Sequence, residues 1–167
     1  MPTLAGFVSF IQNVMGISTT VLPADSPVIG FALSVALAIV NPQLRASVYC
    51  GPPVAGVTPA NIYTLAVYNL AGSQLLSYAQ DQPDAAPVKG SNPPQPFFEW
   101  TRAQWNILAF VSGIVDSTGD DTTNVHLVVM DAAKQMTFQN LQQAKDPYGR
   151  QYLAFVQSAG PTVWGIS

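Results

Sequence analysis

Apolar positions crowd every side of one segment, TPANIYTLAVYNLAGSQLLSYA, from Thr58 to about Ala79. Ile62, Leu65, Ala66, Asn69 and Leu76 define one helical stripe, while Tyr63, Val67, Leu70, Ala71 and Leu75 fill the other sides. A helix that is apolar all round is normally sheathed by other elements, so this segment is predicted to be the central helix of the fold. At 1.5 Å per residue it would span roughly 30 Å, the width of a small domain. Its expected start is Thr58 as N-cap, with Pro59 at the first helical position, where a missing N–H costs nothing.

The flanking segments show the three-and-four spacing of amphipathic helices. Leu4, Phe7, Val8, Ile11, Val14 and Met15 share one face, and Gly16 is placed to stop that helix. A second helix is predicted over 27–41, opened by Asp25 or Ser26 and Pro27. It presents Ile29, Leu33, Ala36, Leu37 and Val40 on one face and ends before Pro42. A short helical turn is expected around Leu44 to Tyr49. Residues 81–96, with Pro83, Pro87, Pro93, Pro94 and Pro96, read as a projecting loop, and packed structure resumes as a helix from Phe97 to about Phe110.

Alternation then replaces the helical period. VHLVVM, the turn DAAKQ and MTFQNL, spanning 125–141, suggest a β-hairpin. Asp146 as cap and Pro147 as first residue open a last helix, with Tyr148, Tyr152, Phe155, Val156 and Ala159 on its apolar face and Gly160 as its stop. The expected fold is therefore mainly α: a helical bundle around a central buried helix, with a small β-hairpin insertion before the last helix. The 167 residues form one domain, carrying the loop 81–96 and an apolar C-terminal tail, 161–167.

Composition changes this picture at one point. Only 9% of residues are charged, against about a quarter in ordinary domains, and the net charge is −3. An exterior so poor in charge is either polar and neutral or covered by copies and partners. Tight gripping of nucleic acid, which needs clustered Lys and Arg, is not expected. The apolar run Val28–Val40 is too short to cross a bilayer and is bracketed by Pro27 and Pro42. The first ten residues lack the positive stretch of a signal peptide, so a cytoplasmic product is expected.

The residues offer little catalytic chemistry. His126 is the only histidine, Cys50 the only cysteine and Glu99 the only glutamate, and Cys50 has no basic neighbour in sequence to activate it. Asp116, Asp120 and Asp121 cluster in a Gly/Thr-rich turn but lack the spacing of a calcium loop. No catalytic residue, cofactor site or metal site is expected, and the chain is read as a non-enzyme.

Three segments, IYTLAVYNLAGSQLL, DSTGDDTTNVHLVVM and DPYGRQYLAFVQSAGPTVWGIS, together with the order of elements, resemble the head-tail connector (adaptor or neck) proteins of tailed bacteriophages. The resemblance runs over residues 1–80 in outline and 100–167 more closely, and leaves the loop 81–96 without a counterpart. It implies a structural virion protein, made in the host cytoplasm and docked beneath the portal protein as a ring of copies, dodecameric like the portal. Further neck or tail proteins would bind below, and double-stranded DNA would pass through the lumen without specific binding. Val163, Trp164, Gly165 and Ile166 are the partner-binding candidates it suggests. The alternatives are another neck or tail-completion component, a small helical enzyme, or a carrier enclosing an apolar ligand around Tyr63, Tyr68, Trp100 and Trp105.

Overall fold

The computed structural model describes residues 1–46, 61–83, 85–108, 117–120, 123–126 and 138–158. These residues are mainly helical. In chain order they form α1 (Leu4–Asn13), α2 (Pro27–Ile39), a 3₁₀ turn (Pro42–Ala46), α3 (Ile62–Tyr78), α4 (Phe97–Gln104), strands β1 (Ser117–Asp120) and β2 (Thr123–His126), α5 (Phe138–Gln143) and α6 (Pro147–Ser158).

Helix α3 is the central element that its apolar circumference predicted. From Ile62 to Ser77 it has no exposed residue, and Ala66, Val67, Leu70, Ala71 and Leu75 are fully enclosed. It packs mainly against α2 and α6, and more lightly against α1 and α4. Burying a Val or Leu side chain is worth about 1.5–3 kcal/mol, so this helix is the principal source of packing energy. Two of its polar side chains bond within the helix: Asn69 Nδ2 donates to Leu65 O (2.8 Å) and Ser77 Oγ to Ser73 O (3.0 Å). The helix starts later than Thr58. Asn61 is the N-cap, accepting from Tyr63 N at 2.8 Å, and Thr58 and Pro59 lie outside the described residues.

Helix α1 is pinned to α3 at its start and ends in a tight turn. Thr3 caps it by accepting from Gly6 N, and the Tyr68 hydroxyl accepts from Thr3 N (3.0 Å) and donates to Thr3 O (3.2 Å). At the other end Gly16 adopts φ 69°, a left-handed conformation that costs glycine little, and the chain turns back so that Ile17 N reaches Ile11 O. Helix α2 begins at Pro27 and stops at Ile39, where Val40 becomes extended ahead of Pro42. Its inner face is Ile29, Ala32, Leu33, Ala36 and Val40; Leu37, assigned to that face above, is 40% exposed. The helical turn after it occupies Pro42–Ala46, starting earlier than Leu44, and residues 47–49 are outside the described set.

Helix α4 ends at Gln104 and not near Phe110. Asn106 takes φ 51° and Ile107 N returns to Arg102 O (3.0 Å), a left-handed stop that periodicity does not reveal. The hairpin expected over 125–141 is not supported. Most of MTFQNL belongs to α5, since Phe138 and Leu141 also satisfy a helical spacing and a six-residue alternation is ambiguous. Val125 and His126 instead close β2, which pairs antiparallel with β1 (Ser117 opposite His126, Asp120 opposite Thr123). Residues 127–137 lie outside the described set.

Within the loop 81–96 the backbone is tied to itself. Val88 N donates to Gln95 O (2.8 Å), Ser91 N and Oγ both donate to Val88 O, and Ser91 Oγ accepts from Gln95 N. Gln82, Pro83, Ala85 and Ala86 share a hollow with Thr20, Val21 and Phe97, so this loop lies beside the link between α1 and α2.

Candidate functional site

The junction of α3 and α4 is built by reciprocal capping. Asp81, three residues past α3, accepts from Phe98 N (2.9 Å, Oδ1) and Glu99 N (3.0 Å, Oδ2), satisfying free amides of the first turn of α4. Arg102, in the last turn of α4, donates from Nε to Leu76 O (2.8 Å) and from its terminal nitrogen to Ala79 O, neutralising the carbonyl end of α3. Burial pulls the Arg102 guanidinium down from its ordinary pKa, while Asp81 and Glu99 oppose that shift. We expect Arg102→Met, which keeps the apolar stem and removes both donors, to cost about 2 kcal/mol in chemical denaturation. A variant within 0.5 kcal/mol of the parent would refute this clamp.

These anchors hold α4 in a fixed position above a cleft. Phe97, Trp100, Thr101 and Gln104 recur at the three-and-four spacing of one helical face and line it from α4. Met15 and Ile17, just beyond α1, and Tyr148 of α6 also line the cleft, together with Leu76 of α3 and Trp105. The cleft measures about 340 Å³. Leu76, Ile17 and Thr101 are buried, whereas Phe97, Trp100, Trp105, Met15 and Tyr148 are half-buried. Gly72 lets α1 approach: a Cβ there would meet Met15 Sδ at 3.2 Å. The Tyr148 ring stands edge-on to Phe10 (6.1 Å), and burial together with the nearby Asp146 charge pushes its hydroxyl pKa up.

Beside the cleft lies a deeply buried acid. Asp146 is 2% exposed; its Oδ1 accepts from Tyr148 N (3.0 Å) and Gly149 N (2.8 Å) and its Oδ2 from Ser73 Oγ (2.7 Å). The carboxylate thus caps α6, as its position before Pro147 predicted, and also ties that helix to the middle of α3. Ser73 gave no sign of this role in sequence.

Among the described residues no group of three or more His, Cys, Asp or Glu side chains is placed to hold a metal. His126 ends β2, Asp120 ends β1, and Glu99 is exposed on the outer side of α4. Cys50, Asp116, Asp121 and the tail candidates Val163, Trp164, Gly165 and Ile166 lie outside the described residues. Of the four aromatics suggested as walls of a ligand cavity, Trp100 and Trp105 do line the cleft. Tyr63 is buried and Tyr68 packs on Phe7 (5.7 Å) and Phe10 (5.8 Å) of α1. No helix among the described residues is long and apolar enough to cross a membrane.

The second distinctive surface is the outer side of α2. The helix has no charged residue along its whole length; its solvent side carries Pro27, Gly30, Phe31, Ser34, Leu37 and Ala38, with Ile39 at the flank. Phe31 is 58% exposed. A surface helix normally turns charged and polar residues to water. No family model, curated protein or solved structure matches this chain.

Proposed function

We propose that this chain is a structural virion protein, a head-to-tail connector that assembles as a ring of copies beneath a portal protein and lets double-stranded DNA pass. The observation that carries this reading is the outer face of α2, a thirteen-residue helix without a charge whose solvent side exposes Phe31, Leu37 and Ile39. Such a face is suited to burial against a sister copy or a partner. The net charge of −3 and the few basic residues favour DNA sliding past over DNA held, because affinity for phosphate comes from clustered cations. The mainly helical bundle around α3 supplies a rigid body on which these surfaces ride. Residues 161–167, with Trp164 as an aromatic anchor, form the second contact of this reading, toward the portal or a neighbour.

Two variants test it. Phe31→Glu places a charge on the exposed face without touching the core, so the monomer should keep its melting temperature. Association with purified portal rings, followed by sedimentation and electron microscopy, should weaken at least about tenfold, the effect of losing one aromatic anchor. Deleting 161–167 should likewise reduce portal binding with the helical circular dichroism retained. A chain that fails to bind portal rings and remains solitary at every concentration would refute the connector reading.

A further inference from the structure

We propose that the cleft beneath α4 is a binding site for a small, uncharged aromatic molecule of one or two fused rings, a role that stands independently of the connector reading. The volume, about 340 Å³, falls at the lower end of small-molecule pockets and excludes a docked helix. The walls are aromatic: Phe97, Trp100, Trp105 and Tyr148 border it, and Met15 adds a polarisable thioether of the kind that favours ring contacts. None of its described lining residues is charged. The one cation of α4, Arg102, is turned to the carbonyls of Leu76 and Ala79 on α3, so an anionic ligand would find no counter-charge on α4 or on the described lining residues.

The cleft is held open by polar anchors. Left to apolar forces alone, a face carrying Phe97 and Trp100 would close onto Met15 and Leu76. Asp81 fixes the start of α4 through Phe98 N and Glu99 N, and Arg102 fixes its end on α3. Beyond the helix, Ile107 O accepts from Gln142 Nε2 (2.6 Å) and Lys145 Nζ (3.3 Å), tying the following turn to the segment that leads into α6. Closing the cleft would break these bonds, so a preformed space remains, and a flat ring entering it gains aromatic contact without reorganising the protein. The Thr101 hydroxyl proton is spent on Phe97 O (2.7 Å), leaving the Gln104 amide, the Tyr148 hydroxyl and the indole N–H groups of Trp100 and Trp105 as side-chain donors that set ligand orientation.

The test uses the full chain labelled with nitrogen-15 and indole as the probe. The indole N–H resonances of Trp100 and Trp105 should shift saturably with added indole, and benzoate should bind at least about tenfold more weakly, a factor set by desolvating an unpaired charge. Gln104→Trp, at an exposed position on the rim, should fill the cleft, leave the fold intact by circular dichroism, and weaken indole binding at least about tenfold. Absence of saturable shifts would overturn the proposal, as would indole binding undiminished in the Gln104→Trp chain. Binding that appears only in a Trp164→Ala chain would also overturn it, because the cleft would then be the seat of the chain's own tail.

Discussion

Replacing Gly149 by alanine will cost this fold about 3 kcal/mol or more, the range of a severe steric insertion into a packed interior. Gly149 sits in the first turn of α6, buried where the preceding segment crosses it. A Cβ built there would overlap Gln143 O and lie 2.8 Å from Gln143 C and 3.0 Å from Asp146 Oδ2. Two of these three neighbours are backbone atoms at the end of α5, so no side-chain rotation relieves the overlap. Either α5 lifts away from α6 or the Asp146 cap is pushed off its amides. Both responses damage the junction that seats α6 on α3. The expected signature is a lowered denaturation midpoint with little change in slope, and a melting temperature lower by on the order of 10 °C. An alanine variant melting within a degree or two of the parent would show that the α5–α6 crossing is looser than described.

The second large effect centres on Asp146. Its carboxylate answers two amides of α6 and the Ser73 hydroxyl of α3 at once, so Asp146→Ala strands three donors, two of them buried. Loss of a helix cap costs about 1 kcal/mol and an unsatisfied buried donor 1–3 kcal/mol, which together predict roughly 2–4 kcal/mol. Asp146→Asn keeps a cap oxygen and can donate to Ser73 Oγ, and should stay within about 1 kcal/mol of the parent at neutral pH. The two variants separate capping from charge.

Charge itself acts in the opposite direction to the cap. Burial pushes the Asp146 carboxyl above the ordinary aspartate value, and the bonds from Ser73, Gly149 and Tyr148 offset that shift only in part. The folded chain therefore holds this proton more tightly than the unfolded chain. Unfolding between the ordinary value, about 3.9, and the higher folded value releases a proton, so this group's contribution is fullest below the former and is lost as pH rises through the latter. Stability measured for the parent minus that for Asp146→Asn, from about pH 3 to pH 7, should fall with rising pH. A difference that rises with pH would mean that the hydrogen bonds outweigh burial.

Much of the fold is legible without coordinates because the signals that carry it are local. Apolar residues on every side of Ile62–Tyr78 require a sheathed helix, whatever does the sheathing. Pro27, Gly16 and the Asp146–Pro147 pair act through backbone geometry within a few residues, and each marks the helix end it predicts. Two of the places where expectation failed are those where two local readings compete. MTFQNL satisfies both alternation and a helical spacing, and Thr58–Pro59 and Asn61 both offer a start for α3.

The candidate site belongs to the other class. Trp100 and Trp105 stand out in the sequence as aromatics, but nothing there shows that Met15, from the end of α1, and Tyr148, from the start of α6, complete the walls. Asp81 and Arg102 are ordinary loop and helix charges until the chain brings α3 and α4 end to end, when each caps the other's helix. Sequence alone thus determined that α1, α2, α3, α4 and α6 are helices, though not α5, and that α3 lies at the centre, since these depend on periodicity and backbone preference over a few residues. Only tertiary structure decided where α4 stands relative to α3, and with it the existence of the cleft. That position depends on hydrogen bonds between residues 17 to 26 apart, whose partners no local pattern announces.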